Sequence, residues 1–155
     1  MKKYCLLNVC CLTVLTVTAQ INLSKVKTDR KAVEVLNKFM QALRIEDADS
    51  SAKAVMQYTH RSLWNSEETD LTRDLRQFSF KKAHSNARFY QIPVKVTRVR
   101  ETAISAIGYG ETAEKGKVSD YFVGKKSGVN GMPAPVQIFF PADGSAPKIS
   151  YMGSL

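Results

Sequence analysis

Beyond Cys11 the chain contains no cysteine, because Cys5, Cys10 and Cys11 are its only three. Once those first residues are removed, neither disulfides nor thiolate chemistry is available, and the fold has to rest on an apolar core. Histidine is almost as scarce. His60 and His84 are the only two, neither has a second ligand at metal spacing, and there is no His-Glu-x-x-His pair or calcium-type run of acids. Neither a metal nor a cofactor is expected. Gly-x-Ser-x-Gly and Gly-x-x-x-x-Gly-Lys are absent too, which removes the nucleophile elbow and the phosphate loop. Low-complexity tracts, collagen-like periods and heptads are missing, which excludes disordered and fibrous classes. The longest apolar run, residues 4–17, falls short of the ~20 residues that a membrane-spanning helix needs.

What is present fits one globular domain: 155 residues, 44% of them hydrophobic and 24% charged. Lys2 and Lys3, the apolar run and the small-residue end Val17-Thr18-Ala19 read as a secretory leader cleaved after Ala19. Residues 20–27 then form a short arm, and 28–155 a single domain. The expected destination is export, to a periplasm or to the exterior. Val9 before Cys10 argues against lipidation.

Charge is concentrated in one segment. Residues 75–100 hold Arg76, Lys81, Lys82, Arg88, Lys95, Arg98 and Arg100 and no acid. Such a block can attract an anionic ligand, a polyanionic glycan or an anionic envelope surface, although a solvated face that keeps the protein soluble is the plainer reading. Nucleic acid is disfavoured. Phe78, Phe80, Phe89 and Tyr90 interleave with the bases, but an exported protein seldom meets nucleic acid.

Apolar residues at threes and fours from Ala32 to Leu43 predict a first helix capped by Thr28 or Asp29. A second, shorter helix is predicted from a cap at Asp49 or Ser50 to near His60. A third opens at Ser66-Glu67-Glu68, with Leu71, Leu75 and Phe78 as its buried stripe and basic residues toward its C-terminal end. From Phe89 the period falls to two, with Pro93 marking an edge or a bulge. Further strands are predicted at about 103–113, 117–126, 134–141 and 147–153, with turns at 114–117, 127–131 and 143–145. Connections this short require antiparallel pairing. The fold class is therefore α+β, with N-terminal helices packed on a curved antiparallel sheet of four to six strands. Residues 136–140 are apolar on both faces and predict a central strand.

A long helix, a short second helix, a third helix and then antiparallel strands ending in Ile149-Ser150-Tyr151-Met152 is an order that resembles the NTF2-like superfamily. The resemblance covers roughly residues 28–155. It implies a cone-shaped α+β fold with a pocket between the concave sheet face and the helices. The family's short strand between the second and third helices has only residues 61–64 to supply it here. Its enzymes place an Asp or His with a Tyr in the pocket, and Asp120 with Tyr121 is the one such neighbour pair in the strand region. Adjacent strand residues face opposite ways, so the two cannot enter one pocket from a regular strand. Asp120 with Tyr109 or Tyr151, or His60 as base, is what an isomerase- or dehydratase-like enzyme would use.

If the strand after Phe89 stays regular, Arg98 and Arg100 continue the apolar face of Tyr90, Ile92, Val94 and Val96. Two guanidiniums at the rim of an apolar hollow suit a carboxylate or phosphate, and snorkelling to solvent is the plain alternative. Gly108-Tyr109-Gly110 reads as a bulge that curves a strand. Trp64 reads as core. The leading expectation is a noncatalytic binding or interaction module with an apolar pocket and a basic rim, using Arg88, Tyr90, Arg98, Arg100 and Tyr109. Its partner is an anionic or amphipathic ligand or a protein, and a homodimer through an exposed sheet face is open.

Overall fold

The computed structural model describes residues 26–153 and residue 155. The expected leader, its cysteines and residues 20–25 of the arm lie outside the described residues.

Asp29 caps the first helix, its carboxylate accepting the Ala32 N–H at 2.9 Å and satisfying one of the free amides of the first turn. Helix α1 (Arg30–Ala42) buries Ala32, Leu36, Phe39 and Met40 and leaves Lys31, Glu34 and Lys38 exposed. Helix α2 (Ala48–Met56) starts earlier than predicted, because Asp47 is the cap and accepts the Ser50 N–H at 2.7 Å. The third helix departs further from expectation. Asn65 Oδ1 accepts the N–H groups of Thr69 and Asp70 at 2.9 and 3.2 Å, which folds residues 65–70 into a loop and keeps Glu67 and Glu68 out of any helix. A π-helical stretch (Leu75–Phe80) then runs directly into α3 (Lys81–Asn86). Its wider turn shifts the helical phase, so Phe80 is buried where Phe78 was expected, and Phe78 stands 65% exposed.

The sheet consists of β1 (Val96–Glu101), β2 (Ala106–Ile107), β3 (Glu114–Val123), β4 (Ala134–Pro141) and β5 (Lys148–Tyr151), in which all neighbours are antiparallel. Strand β4 lies between β3 and β5, a central place that suits its apolar sequence. Strands β1 and β2 share the other edge of β3, β1 against residues 119–123 and β2 against residues 114–115. Helices thus pack on an open antiparallel sheet of five strands, a mixed α+β fold.

Several boundaries differ from the sequence reading. The first strand begins at Val96 rather than Phe89. The expected strand over 103–113 reduces to β2, because Gly108 and Gly110 adopt positive φ and turn the chain. The turn expected at 114–117 is instead the start of β3. Gly116 misled the reading, since it serves close packing: a β-carbon there would overlap the Phe140 carbonyl and come within 2.5 and 2.6 Å of two Phe139 ring atoms. Residues 61–63 form a 3₁₀ turn and no strand. It is Thr59 that adds to the sheet, bridging Ile149 in parallel, with His60 N–H donating to the Ile149 carbonyl at 2.8 Å.

The register sorts the two faces. Ser119 opposite Ile138, Tyr121 opposite Val136 and Val123 opposite Ala134 share the helix-facing side, and most of them join Leu36, Phe39, Met40 and Ile149 in one core. Val118 opposite Phe139, Asp120 opposite Gln137 and Phe122 opposite Pro135 therefore face away. Among the described residues no helix is long and apolar enough to cross a membrane.

Candidate functional site

Strand β1 ends at Glu101 and β2 starts at Ala106, so residues 102–105 leave the edge of β3 and return to it. Thr102 anchors the departure through its N–H and hydroxyl, both donating to the Val118 carbonyl at 3.0 Å. Gly116 N–H anchors the return on the Ser105 carbonyl at 2.9 Å. Opposite this loop, residues 27–29 run along the inner face of the sheet into α1. The space between them is a cavity of about 620 Å³. Val99, Ile104, Tyr121 and Phe140 supply its apolar walls, Ser119 and Thr102 its hydroxyls, and Lys27, Lys117, Asp29 and Glu101 its charges.

Tyr121 is the most constrained polar group here. Its Oη accepts the Asp29 backbone N–H at 3.3 Å, which leaves its own O–H to be donated elsewhere. Burial pushes the ionisation of this phenol upward, partly offset by the Asp29 N–H, so the group stays a neutral donor. Among the described residues no carboxylate hydrogen-bonds it.

The residues singled out from sequence lie elsewhere. The register slips between Val96 and Arg98, and this bulge turns Val99 inward and Arg98 and Arg100 outward. Neither arginine rims the cavity, in contrast to the expectation for a regular strand. Arg98 lies over the Phe122 ring at 3.8 Å, and Arg100 Nε donates to Asp120 Oδ2 at 3.0 Å with a second bond from Nη2. Asp120 is buried beneath that guanidinium on the outer face, so it is no base for the cavity. Tyr90 is core, Tyr109 is 93% exposed, and Tyr151 lies on the outer face opposite Gln137. Arg88 stacks on Phe89 at the far end of α1.

His60, only 3% exposed, is also on the outer face, edge-on to Phe139. Its Nδ1 accepts the Ser62 N–H at 3.1 Å and caps the 3₁₀ turn, so the proton sits on Nε2, which donates to Glu114 Oε2 at 3.0 Å. The ring therefore ties the strand-like segment at Thr59 to β3 across β4. Trp64 is half-buried against the core, its Nε1–H donating to the Thr59 hydroxyl at 2.9 Å. Among the described residues no three of His, Cys, Asp and Glu converge as metal ligands.

The cavity residues were partly readable. Tyr121 alternates with Ser119 and Lys117, and Phe140 with Ile138 and Val136, so each pair of strands presents one inward row. The part played by residues 27–29 and 102–105 carried no signal, because it depends on where an edge strand breaks. No family model, no curated protein and no solved structure matches the chain.

Proposed function

We propose that this chain is an exported, noncatalytic binding module of NTF2-like architecture that holds a small amphipathic ligand in the cavity beside α1. The observation that carries the reading is the 620 Å³ hollow with an apolar wall and one pre-positioned neutral donor, Tyr121, the composition of a small-molecule site. A ligand with an apolar body against Val99, Ile104 and Phe140 and a carbonyl or carboxylate toward Tyr121 fits this lining, with Lys27 and Lys117 available to a negative head. Support for the architecture is the element order and the position of the cavity between the entry to α1 and the inner sheet face. Export rests on Lys2, Lys3 and the apolar run that ends at Ala19. An acid–base enzyme built on Asp120 or His60 would need those groups in the cavity, and both lie on the opposite face of the sheet.

Fluorescence titration with anilinonaphthalene sulfonate, an amphipathic anion of suitable size, tests the site. Saturable binding that Ser119→Phe abolishes without lowering thermal stability is the expected result. Absence of saturable binding, or binding indifferent to Ser119→Phe, overturns the proposal.

A further inference from the structure

A second concave surface lies at the other end of α1, roughly 20 Å away at 1.5 Å per residue. It encloses about 550 Å³ between Arg44, Ile45, Glu46, His84, Arg88 and Lys126. These residues come from the α1–α2 connection, from α3 and the turn after it, and from the chain just beyond β3, so only the folded state gathers them. Three permanent cations face one carboxylate there.

The walls are built by bonds between the segments. Arg44 donates from Nε to the Ala87 carbonyl at 3.2 Å and from Nη2 to the Tyr90 carbonyl. These bonds occupy two carbonyls just beyond α3 and leave three of the five guanidinium N–H groups unspent. His84 Nε2 donates to the Ile45 carbonyl at 2.8 Å, and Lys126 N–H donates to the Phe89 carbonyl at 2.9 Å. Arg88 lies over Phe89, its guanidinium carbon 4.8 Å from the ring centre. Like most described cations, Arg44, Arg88 and Lys126 form no salt bridge among the described residues; what sets these three apart is that the fold gathers them around one hollow. Unpaired cations held around a hollow concentrate positive potential, and the planar fork of arginine matches tetrahedral oxyanions.

We propose that this cleft is a binding site for a phosphate monoester, separate from the apolar cavity. The cleft opens to solvent, so the ester group can reach it whether it is free in solution or borne on a lipid headgroup. Glycerol 3-phosphate and phosphatidic acid present the same ester in those two forms.

The test titrates isotope-labelled protein with glycerol 3-phosphate, following backbone amide shifts, and sediments the protein with phosphatidylcholine vesicles with and without phosphatidic acid. Shifts clustered at Ile45, Ser85, Arg88 and Lys126 show a free monoester to be bound. Sedimentation only with phosphatidic acid, without those shifts, assigns the ester to a headgroup. In either case Arg88→Gln with Lys126→Gln should weaken binding about tenfold per cation removed. Both side chains are peripheral to the core, so an unchanged melting temperature accompanies that loss. If neither probe binds, or if the double variant binds as well as the parent, the cleft is a solvated basic surface and the proposal fails.

Discussion

Replacing Gly116 by alanine adds a single methyl group at a crowded point of the sheet. Its β-carbon would overlap the Phe140 carbonyl and stand 2.5 and 2.6 Å from two carbons of the Phe139 ring, where carbon–carbon contact is favourable only near 3.5–4.0 Å. About 1 Å of movement is therefore needed. Phe139 cannot provide it, because the ring is fully buried with His60 against one side and Val118 opposite in register. The carbonyl belongs to β4, which is hydrogen-bonded on both sides. The overpacking should cost about 3 kcal/mol, the upper part of the range for such insertions. For a domain of this size that is a fall of roughly 10 °C in melting temperature. Thermal and urea denaturation followed by circular dichroism measure it, and Phe139→Leu in the same chain should recover part of the loss. A Gly116→Ala protein as stable as its parent would refute the packing of Phe139 over the glycine.

Leu36→Ala, at a fully buried position of α1, should cost about 2–5 kcal/mol in the same denaturation assay. Arg100→Ala leaves the buried Asp120 carboxylate without its partner; because Arg100 is itself mostly solvated, the expected loss is about 1–2 kcal/mol. Adding Asp120→Asn should return part of it, and a loss that the second change leaves untouched would count against the pair. Burial raises the ionisation of Tyr90 and Tyr121, so the neutral phenols stabilise the fold fully below the ordinary tyrosine value of about 10, and that contribution disappears as pH rises through their higher folded values. An ultraviolet titration should therefore show two late-ionising tyrosines whose release coincides with alkaline unfolding. Early ionisation of all tyrosines would contradict their burial.

Where the sequence was a good guide, local chemistry and tertiary packing agreed. The stripe of Ala32, Leu36, Phe39 and Met40 and a cap at Thr28 or Asp29 placed α1 almost to the residue, and the two-sided apolar run at 136–140 placed β4 in the sheet interior. Two of the misreadings come from features that change the residue count per turn or per strand, and a third from close packing. The π-helical stretch exchanged Phe78 for Phe80, the bulge after Val96 sent Arg98 and Arg100 to the outer face, and Gly116 was a packing residue that resembled a turn residue. Each is set by distant partners and leaves no local pattern. The reading of the cavity depended on the second of these most strongly. With the arginines turned outward, the expected apolar pocket and basic rim separate into a cavity that holds Tyr121 and a cleft that holds Arg88.

Native mass spectrometry of the protein purified gently from its own compartment tests the central claim, occupancy of the cavity beside α1, most directly. The account predicts a polypeptide mass beginning at Gln20 with a reproducible small-molecule adduct, and loss of that adduct in Ser119→Phe. A parent protein carrying no adduct, or an adduct that persists when Ser119→Phe fills the cavity, would contradict it.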